Sequence, residues 1–356
     1  MTPLVTTIIP TYRRPALLRR AIGSVLAQTW PHLRVCVYDN ASGDETAEVV
    51  AEFGDARVEY HCHAENIGTF ANFSHGLDAV STTYFSFLSD DDVLLPDFYK
   101  TAVEQLEPYP EAAFWGGTTI IMTEEGTIKD VTDWPAAYYT PPDGLLAMIE
   151  NNHMIWTSVL FRTDKVRSIG GLDPEVGAPI DTDYMLRLAA RLPYMTSPAP
   201  AAIWMSHPES STVLADPGFI WPGWLKTVRN ITEDESIAAE VRANVGRSLI
   251  DQLKRQLFQI GYNSIRQKKF DDARHVAGIL RDRYDEPAKA NLLAGMAWTF
   301  RHVPPAHPMV ALLDRLRGAT RSAARARSKD LQHRFGDYAR FIAVPDPLQK
   351  NPLQRP

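Results

Sequence analysis

Tyr84-Phe85-Ser86-Phe87-Leu88-Ser89-Asp90-Asp91-Asp92 is a short apolar run that ends in three consecutive carboxylates. A run of that length and character fits a buried strand. Three like charges at its end repel one another and lose solvation on burial. A hard divalent cation relieves that cost, because carboxylate oxygens suit Mg²⁺ or Mn²⁺. A solvated turn capping the helix after Pro96 is the plainer alternative, since Asp favours turns and N-caps. The flanking sequence decides between them.

Upstream, strand and helix periodicities alternate. Residues 4–10, 33–38 and 57–62 have the length and composition of strands. Between the first two, Leu17, Leu18, Ala21, Ile22, Val25 and Leu26 share one side of a helix over 15–29, which Pro15 opens. Helices are also expected over 45–53 and 68–80. The order β-α-β-α-β-α-β predicts an α/β fold, a Rossmann-like, mostly parallel sheet with helices on both faces. Ligands of such sheets bind outside the carboxyl ends of the strands. The polar clusters at 11–14, 39–44 and 89–92 each follow a strand end, so connectivity alone makes them converge.

Downstream, the pattern predicts a helix over 96–107, a strand over 112–122 and a Trp, Tyr and Pro-rich loop over 131–142. A helix over 143–151, a strand over 155–162 and a helix over 181–191 follow. Aromatic and proline density at 217–224 marks a boundary. Beyond about residue 230 helical patterns dominate, over 232–267, 270–284, 287–300 and 307–341. Two domains result, 1–225 with the sheet and 226–356 as an α-helical C-terminal region.

Bulk properties exclude several classes. The 356 residues are 45% hydrophobic and 22% charged, ordinary for a globular protein. A formal net charge of −6 argues against nucleic acid as a partner. No apolar run is long enough to span a bilayer and no signal peptide is evident, so a cytoplasmic location is expected. Cys36 and Cys62 lack metal-type spacing and read as two reduced core thiols.

Pro10-Thr11-Tyr12-Arg13-Arg14, Ser24-Val25-Leu26-Ala27-Gln28, Asp39-Asn40-Ala41-Ser42-Gly43-Asp44-Glu45-Thr46 and Asn66-Ile67-Gly68 accompany the aspartates. In that order these motifs resemble the family 2 glycosyltransferases of GT-A fold, over about residues 4–212. The resemblance implies an inverting, metal-dependent enzyme that moves a sugar from a nucleoside diphosphate donor to an acceptor hydroxyl by single displacement. It implies that Pro10, Thr11, Tyr12, Arg13, Asp39, Asn66, Gly68, Asp90, Asp91 and Gly171 meet the nucleotide sugar, with Asp39 reading a uracil or thymine imide. It also implies that Asp92 ligates Mn²⁺ or Mg²⁺, with Asp90 in support and His207 completing the site. Outside such a set, a lone His is more often structural.

An acceptor hydroxyl needs a base. The family places an acidic pair at a helix start after a Gly-Gly-hydrophobe-Asp segment, which Gly170-Gly171-Leu172-Asp173 matches. Where Glu-Asp is usual, this chain has Ile180-Asp181-Thr182-Asp183, a departure from the pattern. Anchoring on Leu186-Arg187-Leu188 makes Asp181 the base and Asp183 its support. A double N-cap is the alternative, and a helix N-terminus would lower the base's pKa. A second departure is Asn72-Phe73-Ser74 in place of the family's Ala-Arg-Asn. UDP-, dTDP-, GDP- and CDP-sugars therefore all stay open as donors.

Trp134, Tyr138, Tyr139, Trp156, Trp204, Trp221 and Trp224 are candidates to stack on a sugar, against the commoner role of core aromatics. Between Arg315 and Arg340 eight Arg or Lys stand against two Asp. That helix suits peripheral contact with the anionic inner membrane face, as a lipid-linked glycan acceptor would favour. A solvated or homodimer-forming helix is the alternative. A glycan or small-molecule hydroxyl remains open as acceptor. Two rival functions share the sheet: a sugar-phosphate nucleotidyltransferase, and a non-catalytic sugar-nucleotide module on a helical scaffold. The first lacks its Gly-rich loop after strand one; the second would have lost the carboxylates retained here.

Overall fold

A computed structural model describes residues 4–151, 153–207, 217–303 and 318–342, with the side chains of 217–221 and 318–326 outside the description. The chain forms two compact units, Met1–Val213 with Asp330–Pro356, and Leu214–Lys329.

The first unit is the expected sheet. β1 (Val5–Thr11) pairs in parallel with β2 (Leu33–Asp39) and with β4 (Tyr84–Phe87), and β2 pairs in parallel with β3 (Val58–Cys62). Beyond β4 the sheet becomes mixed. β9 (Val159–Arg162) runs antiparallel between β4 and β6 (Phe114–Met122). β6 then pairs in parallel with β10 (Tyr194–Met205). Short strands β5 (Val93–Leu94) and β8 (Ala137–Tyr139) lie against β10, and β7 (Ile128–Thr132) turns back along β6.

Hydrophobic spacing explains the layers. Leu18, Ala21, Ile22 and Val25 of α1 (Pro15–Leu26) are fully buried in one cluster with Val5 and Ile9 of β1. Leu18, Ile22 and Val25 each stabilise by about 1.5–3 kcal/mol relative to exposure. α3 (Thr69–Ala79) starts after Gly68, whose φ of 86° disfavours other residues. It lies so close to the sheet that a Cβ on Gly76 would overlap Ile8. Helices α2 (Thr46–Ala51), α4 (Phe98–Leu106), α5 (Asp143–Glu150), α6 (Thr163–Arg167) and α7 (Ile180–Arg191) complete the layers.

Some elements differ from the sequence expectation. β10 carries Pro198 and Pro200, which argue against a central strand. The structure accommodates them with register shifts between Thr196 and Pro200 and between Pro200 and Ala202. The segment 217–224, expected as a boundary, is helical within Pro217–Thr232. The helix expected over 232–267 is interrupted instead at 233–238, where Asp234 Oδ1 accepts from Ser236 N at 3.0 Å in an Asx turn.

The second unit is helical, with helices Pro217–Thr232, Ala239–Arg266, Phe270–Tyr284 and Pro287–His302 around Leu253, Leu257, Val276, Leu280 and Leu293. Of the expected helix 307–341, residues 307–317 lie outside the described residues; Gly318–Phe335 is helical. Leu331 and Phe335, one turn apart, are buried with Ile128 and Val131 of β7. Gln332 Oε1 accepts from Ile128 N at 3.1 Å, so the chain from Asp330 is tied to the sheet unit. No helix among the described residues is long and apolar enough to cross a membrane.

Candidate active site

Parallel register sets Thr11 beside Asp39 at the carboxyl edge of the sheet. Asp39, almost fully buried, accepts from Ser42 N at 3.0 Å and from Ser42 Oγ through Oδ1, and from Tyr60 OH at 2.6 Å through Oδ2. The Cys62 thiol is 3.6 Å from Oδ2. Asp39 therefore holds its own loop, while Asp44, not Asp39, accepts from Thr46 N at the start of α2. Arg13, at φ 55°, donates N–H to Ser42 Oγ at 2.8 Å and lays its guanidinium over the 38%-exposed Tyr12 ring. Asn40 Nδ2 donates to Asn66 Oδ1, which also accepts from Gly68 N, both at 2.9 Å. Pro10 is buried within β1.

The three aspartates have three different environments. Asp90 accepts from Thr11 Oγ1 at 2.8 Å and from Arg14 Nη1 at 3.3 Å. Asp91 Oδ2 lies 3.0 Å from both Arg14 Nη1 and His207 Nε2, while its backbone carbonyl accepts from the buried Arg20 at 2.8 Å. Asp92 is wholly buried, with Oδ1 accepting from Met205 N and Oδ2 from Thr157 Oγ1, each at 2.9 Å. Both of its oxygens are thus engaged by the protein. Asp92, expected as the metal ligand, faces inward; Asp91 is the one that meets His207. Asp90, the expected support, is drawn to Thr11 and Arg14. Burial, then the Asp91 charge, push Asp90 up to about 6 against the pull of Arg14. The same two causes raise Asp92 well above the usual carboxylate range.

Asp181 sits in the first turn of α7, partly exposed, and accepts from Thr182 N at 2.7 Å. Burial raises its pKa, and the nearby His153 pulls it back down. The direction is opposite to the lowering expected from a helix N-terminus, and burial is its largest cause. Asp183 is fully buried and accepts from Arg187 Nε at 2.7 Å, and Arg187 Nη2 donates to the Gly171 carbonyl at 2.9 Å. Gly171 and Asp183 are thus joined through Arg187, tying the loop before α7 to its first turns.

Arg14, Arg20, Tyr60, His153 and Thr157 escaped the residue-by-residue reading. Arg14 stood in a quoted motif, yet nothing in its spacing pointed to Asp90 and Asp91. The others come from separate strands, helices and loops. Several expectations are corrected. Cys36 is buried, but Cys62 ends the edge strand β3 and is exposed, so only one thiol is in the core. Among the described residues, Cys36, Glu59 and His61 group within 4.8 Å, with Arg34 already 3.4 Å from Glu59. Trp156 packs against Phe87 and Phe73, and Trp134 and Trp224 are buried, as core aromatics are. The Trp221 side chain and residues 208–211 after His207 lie outside the described residues.

Residues 6–170 match the family described as Glycosyl transferase family 2. The chain is 30% identical over 154 residues to an uncharacterized glycosyltransferase of Rickettsia felis, spanning 42% of this chain and 24% of that protein. It is 34% identical over 106 residues to the GalNAc(5)-diNAcBac-PP-undecaprenol beta-1,3-glucosyltransferase of Campylobacter jejuni, spanning 29% of this chain and 34% of that protein. These matches span about a quarter to a third of the relatives' own length. Among solved structures, S. aureus TarS in complex with UDP-GlcNAc superimposes with a TM-score of 0.57 at 15% identity, covering 85% of this chain and 92% of that one. The mannosyltransferase PcManGT of Pyrobaculum calidifontis, with GDP-Man and Mn²⁺, gives 0.50 at 15% identity, covering 99% and 89%. At that identity the likeness speaks for the fold, and the sequence match for the family. Residues 6–170 of the sheet unit thus match glycosyltransferase family 2, on the GT-A fold.

Proposed function

We propose that this protein transfers one sugar from a nucleoside diphosphate sugar to an acceptor hydroxyl, inverting the anomeric carbon. One observation carries the reading: Asp91 faces His207 at 3.0 Å, at the strand edge where Asp39 closes the neighbouring loop. The donor set fits a divalent cation. Asp91 offers a carboxylate and His207 an imidazole, and Asp90 adds a carboxylate whose pKa burial, then the Asp91 charge, raise against the pull of Arg14. Asp91 and His207 would hold Mn²⁺ or Mg²⁺, with Asp90 beside them. Such an ion supplies charge neutralisation for the departing diphosphate. The Mn²⁺ named with PcManGT supports that choice.

Asp181 takes the proton of the acceptor hydroxyl as its oxygen bonds to the anomeric carbon. The bond from that carbon to the diphosphate oxygen breaks on the opposite face, and the nucleoside diphosphate leaves with the electron pair. Asp183 orients this turn through Arg187 rather than touching substrate. Asp39 has one weak partner, the Cys62 thiol, which an imide N–H can replace. A uracil or thymine nucleotide is therefore the favoured donor base, and the UDP-GlcNAc named with TarS agrees with it. The undecaprenol-linked substrate in the Campylobacter relative's name supports a lipid-linked acceptor met at the inner membrane face.

Thermal-shift screening of nucleoside diphosphates with and without Mn²⁺ tests the reading. The correct nucleotide at 100 times its dissociation constant stabilises by about 2.7 kcal/mol. The absence of a Mn²⁺-dependent shift with any of them would sink it.

A further inference from the structure

β2 and β3 pair in parallel with Cys36 beside Glu59 and Tyr38 beside His61. Side chains two apart on a strand share a face, so this register brings Cys36, Glu59 and His61 together. One ligand atom from each lies within 4.8 Å of the other two. Glu59 divides its oxygens. Oε1 is 3.4 Å from Arg34 Nη1, while Oε2 is 3.8 Å from Cys36 Sγ and 3.6 Å from His61 Nε2. Ligands about 2.0–2.3 Å from a tetrahedral ion stand roughly 3.3–3.5 Å from one another, so a small inward shift closes the set. Tyr38 stacks on His61 with ring centroids 5.1 Å apart, which orients the imidazole, and Arg34 orients the carboxylate. Cys36 is buried, while the Glu59 and His61 side chains are nearly half exposed and leave a route in from solvent.

We propose that Cys36, Glu59 and His61 bind Zn²⁺ or a similar borderline d-block cation, with water in the fourth tetrahedral position. The donors decide the ion: a thiolate and an imidazole suit Zn²⁺, whereas Mg²⁺ and Mn²⁺ take oxygen ligands. Without metal, burial, then the Glu59 charge, push the Cys36 thiol up to about 12. A coordinating cation replaces the thiol proton, which goes to solvent, and thiolate and carboxylate then balance its two positive charges. Bound there, the ion bridges β2 to the edge strand β3, one residue pair before Asp39 and Cys62. No residue of the aspartate loop belongs to the set.

Titration of the reduced full chain with Co²⁺, a spectroscopic stand-in for Zn²⁺, tests the site. A thiolate ligand gives a near-ultraviolet sulfur-to-cobalt charge-transfer band, which Asp91 and His207 cannot give. The band should appear, vanish on adding Zn²⁺, vanish in Cys36→Ser and persist in Cys62→Ser. Loss of a ligand should weaken binding at least about 100-fold, since even the groups that orient ligands contribute about 10–100-fold. His61→Asn, at a half-exposed position, should show that loss and serves where Cys36→Ser unfolds. No band in the unaltered protein overturns the proposal. So does a band kept in Cys36→Ser and lost in Cys62→Ser, or a Co²⁺ affinity in His61→Asn within a few fold of the unaltered protein.

Discussion

His207 Nε2 lies 3.0 Å from Asp91 Oδ2, while Asp92, the next residue, turns both carboxylate oxygens onto Thr157 and the backbone of Met205. The end of β10 serves both contacts. Met205 locks Asp92 into the interior, and two residues later the chain presents an imidazole to Asp91. Adjacent carboxylates thereby meet different partners.

That division predicts opposite phenotypes. Asp91→Asn should abolish Mn²⁺ binding in calorimetric titration with little change in denaturant midpoint. Asp92→Asn should turn an amide N–H₂ toward a buried donor and cost about 1–3 kcal/mol of stability, while the surviving folded protein still binds Mn²⁺. The converse pattern would restore Asp92 as the ligand.

Stability in chelator should depend on pH through Asp90. Its carboxyl is pushed from 3.8 up to about 6, so the folded state favours the protonated form. The contribution is fully present below the unfolded value and is lost as pH rises through about 6, on the order of 3 kcal/mol. Melting temperature should therefore fall between those values, and Asp90→Asn should flatten the profile. A melting temperature that instead rises across that interval with Asp90 intact, and is unchanged by the variant, removes this role.

For Asp181, burial raises the pKa of a group that must be ionised to accept a proton. Transfer should fail as pH falls through that raised value, placing the acidic limb of the rate profile above the ordinary carboxylate range. Asp181→Asn should reduce turnover by about 10²–10⁴-fold and leave donor affinity intact. Turnover within a few fold of the unaltered protein would exclude Asp181 as the base.

The two thiols should react differently. Cys62 is exposed and lies 3.6 Å from Asp39, where the base of the donor is proposed to bind. Burial pushes the Cys36 thiol up to about 12, with Glu59 adding to the effect, so it stays protonated and inert. Maleimide should label Cys62 alone, and the correct nucleoside diphosphate should slow that labelling. Mass spectrometry reads both, and protection unaffected by any nucleotide would place the base elsewhere.

Alternation of strand and helix over residues 4–88 was legible because each element there carries its own signal: β-branched runs, Pro15 opening α1, and the stripe from Leu18 to Val25. Connectivity then delivered Thr11, Asp39 and Asp90 to one edge without any tertiary information. β10 was hidden because Pro198 and Pro200 violate strand chemistry locally, and only the bulged pairing with β6 makes room for them. Its loss from the reading concealed the Asp92–Met205 bond and hence the inward turn of Asp92.

By itself, then, the sequence determined the α/β order, the resemblance to family 2 and the cluster of carboxylates at the strand ends, because periodicity and motif order are local and additive. Which partner each carboxylate meets, with Arg14 beside Asp90 and Asp91, Tyr60 beside Asp39 and His153 near Asp181, was decided by tertiary structure. Those outcomes depend on desolvation and on hydrogen bonds between residues as far apart as Asp92 and Met205, and no local pattern encodes either.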